Sequence, residues 1–396
     1  MIHWLGAGLS STPGIRALAK SGYPLTVWNR TISKAQEAIA PFAHLRNVKS
    51  RPFSMQDFTS TLSNGDIVVS MLPATMHPEI AQACLFARSH LVTTSYISEA
   101  MKALHEEAAE LELSFVNEAG LDPGIDHLFA HKLVSEFREF EQSLNGPVLL
   151  KFSSLCGGFP LQPSSFCYKF SWSPLAVLRA LKNEARYLRN GELRHAKHPW
   201  KDLFSFAYGS EKFEAYPNRD SIPYLTEYGL DSLEKHVRGD DTVVDFMRGT
   251  LRPSGWSQTW KEVFDLVEKG STQELEVLSD KLWKEHAYGK DEADRILLYV
   301  ALEAIQATDK KPIWSKAYVL DESGKGSESA MAKTVSLTAT LAVESILQGI
   351  APIGVSGAPA DPKQSSLWLD KLRGYGIRIQ KYQEVEKKFQ FTERTA

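Results

Sequence analysis

The first residues able to do chemistry are Gly6-Ala7-Gly8-Leu9-Ser10-Ser11-Thr12-Pro13, which follow a short apolar run, Ile2 to Leu5. Two glycines let the backbone turn sharply between a strand and a helix, and Pro13 suits a helix's first turn, where no N–H is needed. Such a turn aims backbone N–H groups and the positive end of a helix at a pyrophosphate. The pattern is an incomplete GxGxxG, because Ser11 stands where the third glycine belongs. A turn that binds nothing is the alternative. Gly6, Gly8, Leu9, Ser10 and Ser11 are the expected dinucleotide contacts.

The second apolar run ends in Trp28-Asn29-Arg30-Thr31. A carboxylate at that position would read the ribose 2'-hydroxyl of NAD, and none is present. Arg30 instead offers a planar guanidinium for a 2'-phosphate, with Asn29 and Thr31 as further hydrogen-bonding groups. NADP(H) is the expected cofactor, and an exposed loop arginine that touches no ligand is the competing reading.

Other candidates stand where later parallel strands should end, the edge at which open α/β sheets bind ligands. Leu72, after the run Asp66 to Met71, is expected to line the cofactor slot. Thr94, Ser95 and Tyr96 follow the next strand, and Asp122-Pro123-Gly124 the one after, near the nicotinamide. For proton handling the candidates are Tyr96, Asp122 and Cys156, none of which forms an acid–base dyad from sequence alone. Cys156 reads equally as a small buried hydrophobe. His127 and His131 have the i, i+4 spacing of metal ligands, but only Asp126 is near as a third, so no metal is expected.

These residues need a frame. Through about residue 120, apolar runs (Ile2 to Leu5, Leu25 to Trp28, Asp66 to Leu72, Leu91 to Thr94, Ser114 to Asn117) alternate with helical stretches (Pro13 to Lys20, Ser33 to Ala40, His77 to Ala87, Glu99 to Glu112). Strands too apolar to have a wet face predict a parallel sheet covered on both sides, a doubly wound Rossmann domain. From about 148 the aromatic density rises, β-like runs appear around the helical LAVLRALKNEARYL (175–188), and a second α/β domain is expected. Ser257 is placed to cap a helix carrying Trp260, Val263, Phe264 and Val267, and Asp291 to precede another with Ile296, Leu297, Val300 and Ala304 on one face. The stretch 230–308 therefore reads as mainly helical. A long helix is expected from Ser327 to Gln348, ended by Gly349, and another over Leu367 to Tyr375. DESGKGSES (321–329) reads as a mobile loop rather than a domain boundary.

The chain has 396 residues, 43% hydrophobic and 23% charged, with a formal charge of -3. That length suggests two or three domains, and the charge argues against nucleic acid as a partner. Three cysteines without a CxxC pair predict no disulfide framework and a reducing, cytoplasmic setting. The opening segment is not expected to be a signal peptide. No apolar run is expected to reach the ~18 residues that span a bilayer, so no membrane partner is expected.

From residue 91 onward several blocks stand in one order: LVTTSYIS (91–98), NEAGLDPGIDHLFA (117–130), LCGGFP (155–160), YKFSWSP (168–174), AYPNRDS (215–221), FMRGTLR (246–252) and MAKTVSLTATLAVESIL (331–347). They closely resemble the glutamate-forming saccharopine dehydrogenases, also called saccharopine reductases. The resemblance implies a Rossmann domain over 1–122, with about 350–396 packing back on it, and a substrate-binding and dimerisation domain over 123–350. That second domain would hold a mixed sheet and a small helical part. The resemblance also implies a homodimer that joins L-glutamate to 2-aminoadipate 6-semialdehyde and reduces the imine with NADPH, or runs the reverse oxidation of saccharopine.

Saccharopine carries three carboxylates, so Arg219 in PNRD and Arg248 in MRGT are the expected clamps, helped by Gly249 and Thr250, with Ser95 and Tyr96 as further substrate contacts. Arginines paired structurally with Asp220 and Asp245 are the alternative. Trp172 and Ser173, in the YKFSWSP block, are expected at the cofactor. Two other functions compete: a carboxynorspermidine synthase-like imine reductase, whose pattern lacks the SYIS and PNRD blocks in this form, and a non-catalytic NADP-binding sensor.

Overall fold

The computed structural model describes residues 1–144, 146–230, 242–289, 291–383 and 389–393. The chain divides into two compact units, Met1–Leu128 with Ser327–Ile377, and Phe129–Gly326 with Arg378–Ala396.

The first unit holds a seven-stranded sheet of β1 (Ile2–Leu5), β2 (Leu25–Asn29), β3 (Val48–Pro52), β4 (Ile67–Ser70), β5 (His90–Thr93), β6 (Ser114–Val116) and β15 (Gly354–Ser356). All pairings are parallel, in the order β15-β6-β5-β4-β1-β2-β3. The order reverses between β1 and β4, and the crevice beyond the strand ends at such a reversal is where doubly wound sheets bind ligands. The core strands are apolar because helices cover both faces: Leu5, Trp28, Val68, Leu91 and Phe115 are all buried in one cluster. The edge strand β3, Val-Lys-Ser-Arg-Pro, was not expected, since only Val48 is buried and it carries no apolar run.

Helix Thr12–Lys20 follows the glycine turn and lies against helix Ala330–Leu347. A Cβ on Gly14 would meet the Ser336 carbonyl at 2.5 Å and the Trp4 ring at 2.6 Å, so only glycine allows this approach. The Gly14 N–H donates to Ser336 Oγ at 2.8 Å. The late helix buries its own hydroxyls by donating one turn back: Thr334 to the Ala330 carbonyl, Ser336 to Ala332 and Thr338 to Thr334. Contrary to the expectation from sequence, it is long and apolar enough to cross a membrane, yet 72% of it is buried inside the protein. It also belongs to the first unit rather than to the domain expected over 123–350, because its small residues fit the face that Gly14 leaves open.

The second unit is built on a ten-stranded mixed sheet. Its strands are β7 (Val148–Pro160), β8 (Ala185–Arg189), β9 (Glu192–Ala196), β10 (Phe204–Tyr208), β11 (Glu211–Pro217), β12 (Thr242–Pro253), β13 (Ala293–Gln306), β14 (Pro312–Lys325), β16 (Ile379–Gln383) and β17 (Phe389–Glu393). The main path runs β16-β14-β13-β7-β12-β11-β10-β17, with β8 and β9 beside β12. Among the described strands of this sheet only β7 and β12 pair in parallel. One face packs Leu155, Met247, Leu251, Leu297 and Tyr299 into an apolar cluster. A small helical layer of Pro174–Leu181, Lys261–Lys269 and Thr272–His286 closes around Tyr168, Trp200, Trp256 and Trp260.

Several expectations are corrected. The stretch 230–308 is not mainly helical: helices fill Trp256–Thr259, Lys261–Lys269 and Thr272–His286, but β12 and β13 frame them, while 231–241 lies outside the described residues. The segment with Ile296, Leu297, Val300 and Ala304 is β13, sandwiched between β7 and β14; both its faces are buried, so its apolar run carries no period of two. Ser257 does not cap a helix, because Trp256–Thr259 already includes it and its N–H donates to Glu214. Residues 321–325 are strand, held by hairpin pairing with β13 and by Arg295 on Asp321; the division between units falls directly after, at Gly326 and Ser327. Of the C-terminal segment, β15 and helix Pro362–Gly374 belong to the first unit, whereas β16 and β17 complete the second unit's sheet.

Candidate functional site

In the first unit the expected cofactor residues gather at the carboxyl ends of its parallel strands. Gly6 leaves β1 at φ +96, and a Cβ there would press on the Met71 carbonyl at 3.2 Å. A Cβ on Gly8 would meet nothing within 4 Å, so the space beside it is open to a phosphate. Leu9 is exposed, Ser10 half-buried and Ser11 buried at the N-cap of helix Thr12–Lys20, where its side chain makes no capping bond. Asn29 braces the turn: its Oδ1 accepts the Ala7 N–H at 3.0 Å and its Nδ2 donates to the Thr31 carbonyl at 2.9 Å. Arg30 is exposed and, among the described residues, has no hydrogen-bond or ion-pair partner. Thr31 N-caps helix Ile32–Ile39, again without a side-chain bond. Two helix N-termini short of capping partners, with a guanidinium beside one, suit the pyrophosphate and 2'-phosphate of NADP.

Leu72 follows β4 and packs on the apolar cluster beneath. After β5, Thr94, Ser95 and Tyr96 are half-buried. Tyr96 donates its hydroxyl to Asp122 Oδ1 at 2.8 Å, so two proton-handling candidates meet. The Asp122-Pro123 bond is cis. Gly124 sits at φ +145, where a Cβ would collide with Gly120. Its N–H donates to Asp126 Oδ1 at 2.7 Å, which fixes the entry to helix Ile125–Glu141.

One residue here escaped the sequence reading. His77, buried at the start of helix His77–Ala87, lies 2.9 Å through Nε2 from Ser95 Oγ and 3.2 Å through Nδ1 from Ser70 Oγ. Burial pushes its pKa down to about 4, so its ring is neutral at physiological pH. His127 and His131, at i, i+4, point to different neighbours: His127 Nε2 is 3.4 Å from Glu118 Oε2, whereas His131 meets the Tyr228 ring edge-on.

In the second unit, Cys156 on β7 and Thr250 on β12 are register partners, as are Ser154 and Arg248, and Tyr216 on β11 stands beside Thr250. Alternation along the strands puts Arg248, Thr250 and Arg252 on the face opposite the Met247 and Leu251 cluster. Arg248 is buried to 4% exposure with its guanidinium 4.1 Å from the Tyr224 ring centroid. Gly249 faces the other way, its missing Cβ making room for Leu155 and the Tyr216 carbonyl. Arg219 is exposed at φ 58, and its carbonyl accepts the Arg186 N–H. Asp220 accepts Arg186, and Asp245 accepts Arg189 and the Asn190 N–H. Trp172 is exposed, and Ser173 caps helix Pro174–Leu181 through the Ala176 N–H. Arg252, which the sequence reading passed over, is nearly as buried as Arg248 and lies among the rings of Tyr168, Tyr216 and Trp256.

Comparison with known proteins sets these residues in a family. Residues 2–116 match the saccharopine dehydrogenase NADP binding domain and residues 120–377 the saccharopine dehydrogenase C-terminal domain. The chain is 32% identical over 322 residues to a saccharopine dehydrogenase [NADP(+), L-glutamate-forming] of Pyricularia oryzae, covering 78% of this chain and 68% of the relative. With the enzyme of that name from Saccharomyces cerevisiae it shares 34% identity over 66% of this chain and 57% of the relative. The apo structure of the L-Glu-forming enzyme from S. cerevisiae superimposes with a TM-score of 0.78 at 25% identity, covering 96% of this chain and 99% of that one. A homospermidine synthase from Legionella pneumophila, at 10% identity and a TM-score of 0.60, shares the fold. The glycine turn with its Arg30 falls inside the first matched region and the Arg248 strand inside the second, and the chain belongs to the saccharopine dehydrogenase family.

Proposed function

We propose that this protein is an NADP-dependent saccharopine dehydrogenase (L-glutamate-forming), interconverting saccharopine with L-glutamate and 2-aminoadipate 6-semialdehyde through an imine, in lysine metabolism. The observation that carries the reading is Arg248, a cation buried in a strand of the second unit's sheet, beside Thr250. A planar guanidinium on that strand can pair with a carboxylate through two parallel hydrogen bonds, the geometry an amino-acid substrate with several carboxylates calls for. In the second unit Arg219 and Arg248, with Thr250 on the latter's face of the sheet and Gly249 through its backbone alone, are the carboxylate clamps; in the first unit Ser95 and Tyr96 are the substrate contacts. NADP, when bound, supplies or accepts the hydride.

The glycine turn and Arg30 hold the phosphates of NADP. Leu72, Thr94 and Asp122 to Gly124 are the first unit's further cofactor contacts; Trp172 and Ser173 are the second unit's candidates. Tyr96, Asp122 and Cys156 are the candidates for moving a proton; Tyr96 is already joined to Asp122. Hydrolysis of the imine needs only water once hydride has moved, so no obligatory base is assigned. Three free thiols support a reducing compartment, read as the cytoplasm, and the family resemblance supports a homodimer.

Steady-state kinetics with saccharopine and, separately, with carboxynorspermidine test this. Arg219→Ala and Arg248→Ala should each lower kcat/KM for saccharopine roughly tenfold to hundredfold, the loss of one charge-assisted pair, with NADPH affinity little changed. Faster turnover of carboxynorspermidine than of saccharopine by the wild-type enzyme would transfer the assignment to the polyamine reaction.

A further inference from the structure

The buried Ser70, His77 and Ser95 form a short polar chain whose direction follows from its hydrogens. Ser70 ends β4 with no exposure, and among the described residues the one hydrogen-bond partner of its hydroxyl is His77 Nδ1, at 3.2 Å. His77 Nε2 is 2.9 Å from Ser95 Oγ, whose hydroxyl likewise has only that described partner. Two neutral arrangements satisfy these distances. If Nδ1 carried the proton and donated to Ser70, the Ser70 hydrogen would have no acceptor in a site without water access, a penalty of order 1–3 kcal/mol. If Ser70 donates to Nδ1, the ring proton must sit on Nε2 and be donated to Ser95 Oγ. Every buried group is then satisfied, and the Ser95 hydrogen is left over. A charged ring, donating from both nitrogens, is disfavoured by the same burial that lowers the pKa of His77.

We propose that Ser70 and His77 act as a fixed donor relay that presents the Ser95 hydroxyl as a hydrogen-bond donor to a carboxylate oxygen of the bound amino-acid substrate. Ser95 would accept from the first unit's interior and keep its hydrogen free to donate outward, which suits an anionic group. Ser70 and His77 are positioning residues: they touch no substrate and act through Ser95. The proposal rests on the reading of Ser95 as a substrate contact, and its test separates the two.

The wild-type protein labelled with 15N-histidine gives the first measurement, with His77→Gln assigning the signal. The relay requires the His77 ring to carry its proton on Nε2 at neutral pH; a proton on Nδ1 overturns it, whatever the substrate proves to be. Kinetics give the second. His77→Leu should raise KM for saccharopine roughly tenfold with kcat changed less than about threefold, matching Ser95→Ala, and the double variant should lose no more than either single one. His77→Gln, whose amide nitrogen can reach the place of Nε2, should recover most of the loss. Additive losses, or a KM that His77→Leu leaves unchanged, overturn the link to Ser95. A wild-type enzyme inactive on saccharopine refutes the proposed function instead, and the ring tautomer then decides the relay alone.

Discussion

Arg30 shows how far a single side chain carries a functional reading. It is exposed beside the uncapped N-terminus of helix Ile32–Ile39, and Asn29 next to it is occupied in bracing the loop. Arg30→Ala should therefore weaken NADPH roughly tenfold to hundredfold while leaving NADH nearly unchanged, as equilibrium titration of nucleotide fluorescence would show. Equal loss for both cofactors would mean that the guanidinium does not read the 2'-phosphate. The role proposed for this residue could be read in the sequence because its signals are local: a strand end, a missing carboxylate and a cation lie within a few positions. His77 was not, because its partner Ser95 lies on another strand end and only the sheet brings the two within 2.9 Å. Arg252 escaped for the same reason, its three rings arriving from separate parts of the second unit.

Elements were readable where one face of a strand or helix had a distinct chemistry. Five of the seven parallel strands of the first unit, β1, β2 and β4 to β6, could be placed within a residue or two because covered sheets leave uninterrupted apolar runs, whereas β3 and the short β15 could not. The same property misled in β13, where fourteen residues buried on both faces have no alternation and match a helix by length. The glycine turn was half legible: Ser11 seemed to break the motif, yet close helix packing is the work of Gly14, three residues later. Two alanine substitutions separate these roles. Gly14→Ala forces a methyl against the Ser336 carbonyl and Trp4 and should cost about 1–3 kcal/mol, seen as a lower Tm without ligand. Gly8→Ala meets no protein atom within 4 Å, so its Tm should hold while NADPH binding falls. A fall in Tm for Gly8→Ala would show that its openness is not reserved for ligand.

At the scale of the whole molecule, each unit buries a histidine whose charge it opposes: burial takes both His77 and His131 down to about 4. With folded values below the unfolded 6.5, the unfolded chain binds more protons between pH 6.5 and 4. Stability is thus complete above pH 6.5 and falls as pH drops toward 4, by up to about 1.4 kcal/mol per pH unit for each ring. Thermal melts across that window should show the slope, and His131→Gln should reduce it; an unchanged slope would assign acid sensitivity to other groups, His3 and His90 among them. The division of the chain has a consequence for its synthesis. The helix that closes on Gly14, and the strand β15 that extends the nucleotide-binding sheet, are encoded after nearly all of the second unit. A ribosome delivers β1 to β6 first but withholds the layer that covers them, so the phosphate turn must wait, partly uncovered, until residues beyond 350 emerge. The second unit waits too, since β16 and β17 follow the last segment of the first unit. The first unit is therefore completed only after nearly all of the second has been made, and a nascent chain halted near residue 326 would expose to chaperones the apolar face that the late helix is built to cover.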